Sequence, residues 1–228
     1  MQISEDLKSA YQGLQVLELE INNLRIKKNN TDLEEFKKRK QEEIRQKIKS
    51  LEEVKNLSIF RAYRNFYWKV GVDPTKTRPA GEALTRRILG GKDLPTINTL
   101  VDSYNIASAE SFVAIAAFDL ASVSKDSLLM RRAKVGESFL GIGMNAHIKL
   151  SGVEVVIEDQ DNSNLIAVYP YRDSDASKVT EKTRDVLMMM CGVPGISIED
   201  LKAAERLTRN YVEKYCIQVD DAVSSLSS

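Results

Sequence analysis

Histidine is nearly absent from this chain of 228 residues: His147 is the only one. Mechanisms that need two histidines are excluded, and so is an HExxH zinc site. Cysteine is scarce as well. Cys191 and Cys216 cannot supply a disulfide framework or a closed cysteine zinc site, and they fit a reducing, cytoplasmic location. There is no GxGxxG, no P-loop and no GxSxG elbow, so the sequence gives no sign of a nucleotide fold or a serine elbow. No metal and no cofactor is expected. Charge of one sign is missing too, since Lys plus Arg number 33 and Asp plus Glu number 33. That balance argues against a general nucleic-acid coat but leaves room for a local basic patch. No apolar run reaches the ~18 residues of a membrane helix. The opening MQISEDLKSA carries no apolar signal region. No internal repeat is evident.

Hydrophobic residues make up 43% of the chain, enough for a real core in one large domain or one domain with an appendage. The stretch Val153–Cys191 organises the rest. Val153, Val155, Val156 and Ile157 form a β-branched run, Glu158–Asn164 a polar turn, Leu165–Tyr171 a second apolar run and Val186–Met190 a third. Such runs suggest buried strands, although periodicity alone does not separate them from helix. Between the second and third runs lies YRDSDASKVTEKT, rich in hydroxyls and charge. A polar loop held by buried strands can be a binding site or plain surface.

Leu7, Tyr11, Leu14, Leu17, Ile21 and Leu24 recur at helical spacing, which predicts an amphipathic helix over residues 1–28. Thr31, with Glu34 three positions on, predicts the start of a second helix and thus an N-terminal helical hairpin over 1–57. That hairpin is a candidate oligomerisation or docking element, which would make the chain a homo-oligomer. Residues 58–228 form the second unit. SIFRAYRNFYWKV, residues 58–70, reads as a helix that buries its aromatics. Another helix begins near Pro79 and ends at Gly90–Gly91. Pro95–Ile106 reads as a helix, with Ser108–Ser111 capping the next segment. Leu128–Met130 reads as a strand, and Ser197 with Asp200 caps a last helix before a frayed DDAVSSLSS tail. Arg61, Arg64, Lys69, Lys76, Arg78, Arg86, Arg87 and Lys92 face only Asp73 and Glu82 over the same span, making this the best candidate RNA-binding surface. A local Arg78–Glu82 pair is the structural alternative. Cys191, following an MMM run, reads as packing rather than nucleophile.

Several blocks carry a family resemblance: VDSYNIAS (Val101–Ser108), AAFDL (Ala116–Leu120), RRAKVGESF (Arg131–Phe139), and VVIEDQDNSNLIAV through VTEKTRDVLM. Their order and spacing resemble the B3/B4 domain, the editing module of the phenylalanyl-tRNA synthetase β subunit, which also occurs as stand-alone proteins. The lead-in from Tyr67 to Asn105 resembles the stand-alone form. The resemblance implies an α+β fold: a sandwich-like β core with flanking helices. It also implies a hydrolase of mischarged aminoacyl-tRNA, with tRNA as partner and an amino-acid-like ligand. The alternative is a non-catalytic module that binds tRNA, an amino acid or a related small molecule. Asn105, Arg132, Arg172, Ser174, Thr180 and Thr183 are the candidate pocket residues. An ion pair of Arg132 with Asp119 or Glu137 is the structural alternative. Where the family's editing site has a histidine and a glutamate, this chain places Ala116 and Met189, and VYPYRDS replaces a glycine-rich loop. Catalytic residues are therefore not assigned from the resemblance.

Overall fold

The computed structural model describes residues 1–217, and the DDAVSSLSS tail lies outside the described residues. In chain order the elements are β1 (Gln2–Ile3), α1 (Glu5–Ala10), β2 (Gln15–Ile21), α2 (Thr31–Lys47), α3 (Leu51–Asn56), α4 (Ser58–Lys69), α5 (Ala80–Leu89) and α6 (Thr99–Ser111). There follow β3 (Ala114–Asp119), β4 (Leu128–Arg132), β5 (Ser138–Phe139), β6 (Ile148–Lys149), β7 (Val155–Asp159), β8 (Asn164–Val168), β9 (Arg172–Asp173), β10 (Val186–Gly192) and α7 (Ile198–Cys216). The fold is α+β. A five-stranded sheet has the order β1-β4-β7-β8-β9, a three-stranded sheet the order β2-β10-β3, and β5 pairs with β6.

β10 is the central strand. All of its residues are buried, as a continuous apolar run requires when both faces are covered. It pairs antiparallel with β2 from Val186↔Ile21 to Gly192↔Gln15, and with β3 from Val186↔Asp119 to Cys191↔Ala114. Strand side chains alternate, so the register puts Ala114, Ala116, Met189 and Cys191 on one face. Helices α6 and α7 pack together beside this sheet. Two phenols tie β10 to its surroundings: Tyr63 donates to the Cys191 carbonyl at 2.5 Å and accepts from the Ala114 N–H at 2.9 Å, and Tyr169 donates to the Gly192 carbonyl at 2.9 Å.

The N-terminal expectation is corrected. Residues 1–28 form no continuous helix, so the hairpin lacks its first arm. Within QVLELEI, Leu17, Leu19 and Ile21 alternate with Val16, Glu18 and Glu20, a period of two that suits a strand. Pairing with β10 satisfies backbone groups that a helix would leave open on that strand's edge. Leu7, Leu19, Ile21, Leu24, Leu33 and Phe36 all join the main core, so this stretch is built into it.

Other boundaries shift by a few residues. α2 begins at Thr31 as read, but its cap is Asn30, whose side chain accepts from the Leu33 N–H at 3.0 Å. α6 starts at Thr99 behind an Asn98 cap, because Pro95 lies in the preceding loop. Ser108 and Ser111 close that helix instead of capping the next segment, donating to the Val113 and Ala107 carbonyls at 2.6 and 2.7 Å. The three strands read from Val153–Cys191 form as β7, β8 and β10, and Ser197 with Asp200 makes the expected capping box. Among the described residues no helix is long and apolar enough to cross a membrane.

Candidate functional site

A cavity opens between the two larger sheets. Ala114, Ala116 and Phe118 of β3 and Cys191 of β10 form one wall, and Ile157 of β7 and Ala167 of β8 the other. Tyr169, Pro170 and Tyr171 close one end, β9 contributes Arg172 and Asp173, and Ala80 brings the start of α5 to the rim. The empty space is about 450 Å³, part of it open to solvent. Four alanines, Ala80 at the rim and Ala114, Ala116 and Ala167 in the walls, leave room that larger side chains would fill.

Asp173 is the one acid in this lining. Its carboxyl makes no hydrogen bond among the described residues. Burial pushes its pKa up to about 7, and the neighbouring Arg172 charge offsets this only in part. The carboxylate acts in turn on its surroundings. Tyr104 and Cys191 are pushed up first by burial and then by Asp173, and Tyr67 feels burial most and Asp173 as well. A carboxyl poised near neutrality can take a proton or hold an ammonium group. Cys191, held in the thiol form, is no nucleophile at neutral pH.

Of the six pocket candidates, Arg172 alone lines this cavity. Its guanidinium donates to the Ile142 carbonyl at 2.9 Å and lies 5.6 Å from the centre of the Tyr171 ring, so it also pins the loop before β6. Ser174 is buried, caps a short turn by accepting from the Ala176 N–H at 3.3 Å, and borders a different hollow. Thr180 and Thr183 brace the linker itself: the Thr183 hydroxyl accepts from the Thr180 N–H at 2.9 Å and donates to Asp119 at 2.6 Å. Arg132 pairs with neither Asp119 nor Glu137. It reaches Asp6 at 3.5 Å and stacks over Tyr11, tying β4 to α1, while Arg131 takes Glu137 and Glu158 at 2.6 and 2.7 Å. Asn105, on α6, is half-buried outside the cavity lining. Asp173 went unread because an acid beside an arginine in a polar loop resembles solvated surface, and because it falls in VYPYRDS, where the chain departs from the family's loop.

The basic stretch divides in two. Glu82 is fully buried and salt-bridges Arg64 and Arg86. Burial raises its pKa, but these two guanidiniums outweigh that and hold it below the usual carboxylate range. The alternative Arg78–Glu82 pair does not form among the described residues. Lys76 lies 3.9 Å from Asp73. Arg61, Lys69, Arg78, Arg87 and Lys92 form no salt bridge among the described residues. Arg78, Arg86, Arg87 and Lys92, with Ala83 and Gly90, line an open groove of about 840 Å³ along α5. The aromatics of α4 are core as expected, except Trp68, which is 58% exposed. His147 contacts Ser138 at 3.1 Å on the surface, away from the cavity. No group of three or more His, Cys, Asp or Glu among the described residues could hold a metal ion.

No curated protein matches the chain. Among solved structures it is similar to an N-terminal fragment of the phenylalanyl-tRNA synthetase β-subunit from Pyrococcus horikoshii, at 14% identity and a TM-score of 0.49. That similarity covers 94% of this chain and 48% of the other, so the chain spans about half the fragment's length. A family model described as the B3/4 domain matches residues 62–223, a span that holds every residue lining the cavity. The chain belongs to the B3/4 domain family.

Proposed function

We propose that this protein hydrolyses an aminoacyl ester carried by a tRNA, with the amino-acid end in the inter-sheet cavity. The observation that carries this reading is the Asp173 carboxyl, the one acid lining the inter-sheet cavity, without a hydrogen bond among the described residues and pushed up to about 7 by burial. The substrate class comes from the family resemblance, and the cavity supports it chemically. Asp173 takes a proton from water as the water oxygen bonds to the ester carbonyl carbon. The bond from that carbon to the ribose oxygen then breaks, and the proton passes to the leaving oxygen. The small walls from Ala114, Ala116, Ala167 and Cys191 accept an apolar side chain but offer it no hydrogen bond. Such a pocket separates near-isosteres poorly, so its selectivity rests on size.

The test is a deacylation screen over a panel of mischarged tRNAs, tyrosine on the phenylalanine tRNA included. One or more should be hydrolysed. Asp173→Asn should slow the reaction by about 10²- to 10⁴-fold, the usual weight of a general base. The parent rate should rise with pH and level off above about 7, where Asp173 is ionised. A panel left intact, or an Asp173→Asn rate equal to the parent's, rules the reading out. The second reading is a non-catalytic binder of an amino-acid-like ligand, favoured by Ala116 and Met189 at the departing positions. It expects no turnover but a ligand-dependent gain of about 2.7 kcal/mol at a hundredfold excess over the dissociation constant.

A further inference from the structure

The chain is neutral overall, yet its acids and bases are unevenly matched. On α2 and α3 several cations pair with acids, Lys40 with Glu43, Arg45 with Glu42 and Lys55 with Glu52, while Lys38 and Lys47 form no salt bridge among the described residues. On α4 and α5 the only buried acid, Glu82, is consumed by Arg64 and Arg86. Arg78, Arg87 and Lys92 remain exposed beside the same groove and form no salt bridge among the described residues, although Arg87 donates to the backbone carbonyl of Asp93. Several cations spread along a groove suit a chain of repeated charges better than one compact anion.

The groove and the cavity share α5. Ala80, its first residue, lines the cavity, and Ala83, Arg86 and Arg87 line the groove. With a rise of about 1.5 Å per residue, Arg87 sits about 10 Å along the axis from Ala80. A polyanion in the groove is therefore within reach of the cavity rim. The lining argues against a membrane surface. Apart from cations it offers only Ala83 and Gly90, with no large apolar side chain to insert among lipids.

We propose that the α5 groove, through Arg78, Arg87 and Lys92, binds the phosphate backbone of an RNA whose acylated end enters the cavity. The proposal rests on the cavity reading for the nature of that end. Its own test needs no chemistry.

Fluorescence anisotropy with labelled, uncharged bulk tRNA, repeated over a salt series, measures it. Combining Arg78→Ala, Arg87→Ala and Lys92→Ala should weaken binding more than tenfold at low salt. The slope of log affinity against log salt should also flatten by about two, as expected for three lost phosphate contacts. Replacing Lys38 and Lys47 of α2 and Lys49 just after it by alanine, all three outside the groove, should change affinity less than about twofold. Arg78→Lys with Arg87→Lys keeps the charge and should retain the salt slope, which guards against a fold defect in the alanine variant. An unchanged slope in the groove variant overturns the proposal. So does equal loss in the α2 variant, or binding to phosphatidylserine vesicles as strong as to tRNA. RNA binding without hydrolysis of any ester would leave the groove standing and remove the cavity reading. Ester hydrolysis with an inert groove would do the reverse.

Discussion

Asp173 shows how one side chain can be both a functional asset and a structural liability. In the unfolded chain an aspartate titrates near 3.9; in the fold, burial pushes it up to about 7. Between those values the native state keeps a proton that the unfolded state has lost. Stability therefore falls as pH rises through that window and levels off above it, and below it the residue contributes nothing. Asp173→Asn is neutral throughout and escapes the loss. The open side of the cavity screens the effect, so the variant should be about 1–2 kcal/mol more stable than the parent near pH 8 and equal to it near pH 4. Urea unfolding at the two pH values checks this, and a destabilised variant near pH 8 would contradict the assigned environment. Sequence could not identify this carboxyl. Its pKa depends on Ala114, Ala116 and Cys191, distant along the chain and brought beside it only by the packing of two sheets. Arg172 was legible as a polar residue flanking buried strands. Thr180 and Thr183 met the same description, yet their hydroxyls serve the linker.

At the scale of elements, α2 and α6 are joined through a buried charge. Lys37 and Asp102 are each 2% exposed, with Nζ 2.9 Å from the carboxylate. Lys37 also meets Glu34 at 2.8 Å, Thr96 at 2.9 Å and the Pro95 carbonyl at 3.2 Å, so each of its donors is used. Burial dominates at Asp102 and raises its pKa despite the Ile97 N–H and Lys37. Lys37→Met strands that carboxyl and should cost about 3–5 kcal/mol. Adding Asp102→Leu should recover most of the loss, since a well-packed apolar pair is often as good as the ion pair it replaces. Chemical denaturation of the single and double variants measures both steps, and a loss below about 1 kcal/mol in the single variant would deny the pair its role. In the sequence Lys37 stands among many lysines, Lys38, Lys40, Lys47 and Lys49. Which of them turns inward is decided by the loop before α6, which no local pattern encodes.

At the scale of the whole molecule, the order of the sheets explains both what was legible and what was not. β10 announced itself through an unbroken apolar run, and α4, α5 and α7 through caps, glycines and amphipathic spacing. β2 was hidden because its apolar residues satisfy two periods at once: Leu14, Leu17, Ile21 and Leu24 fit a helix, while Leu17, Leu19 and Ile21 fit a strand. Pairing with β10 decided between them, and that partner lies far along the chain. Removing residues 1–28 should then do more than trim an appendage. It strips the seven-residue ladder from β10, leaving the edge of a fully buried apolar strand open. Open apolar edges recruit other strands, so the shortened chain should lose cooperative melting by circular dichroism and elute as aggregate in size-exclusion chromatography. Leu19→Asp should shift the parent's melting downward by the same route, placing an unpaired charge where the side chain is 2% exposed. A shortened chain that stayed monomeric and melted within a few degrees of the parent would mean that β10 does not need β2. The sandwich that walls the cavity would then have to close without its N-terminal strand.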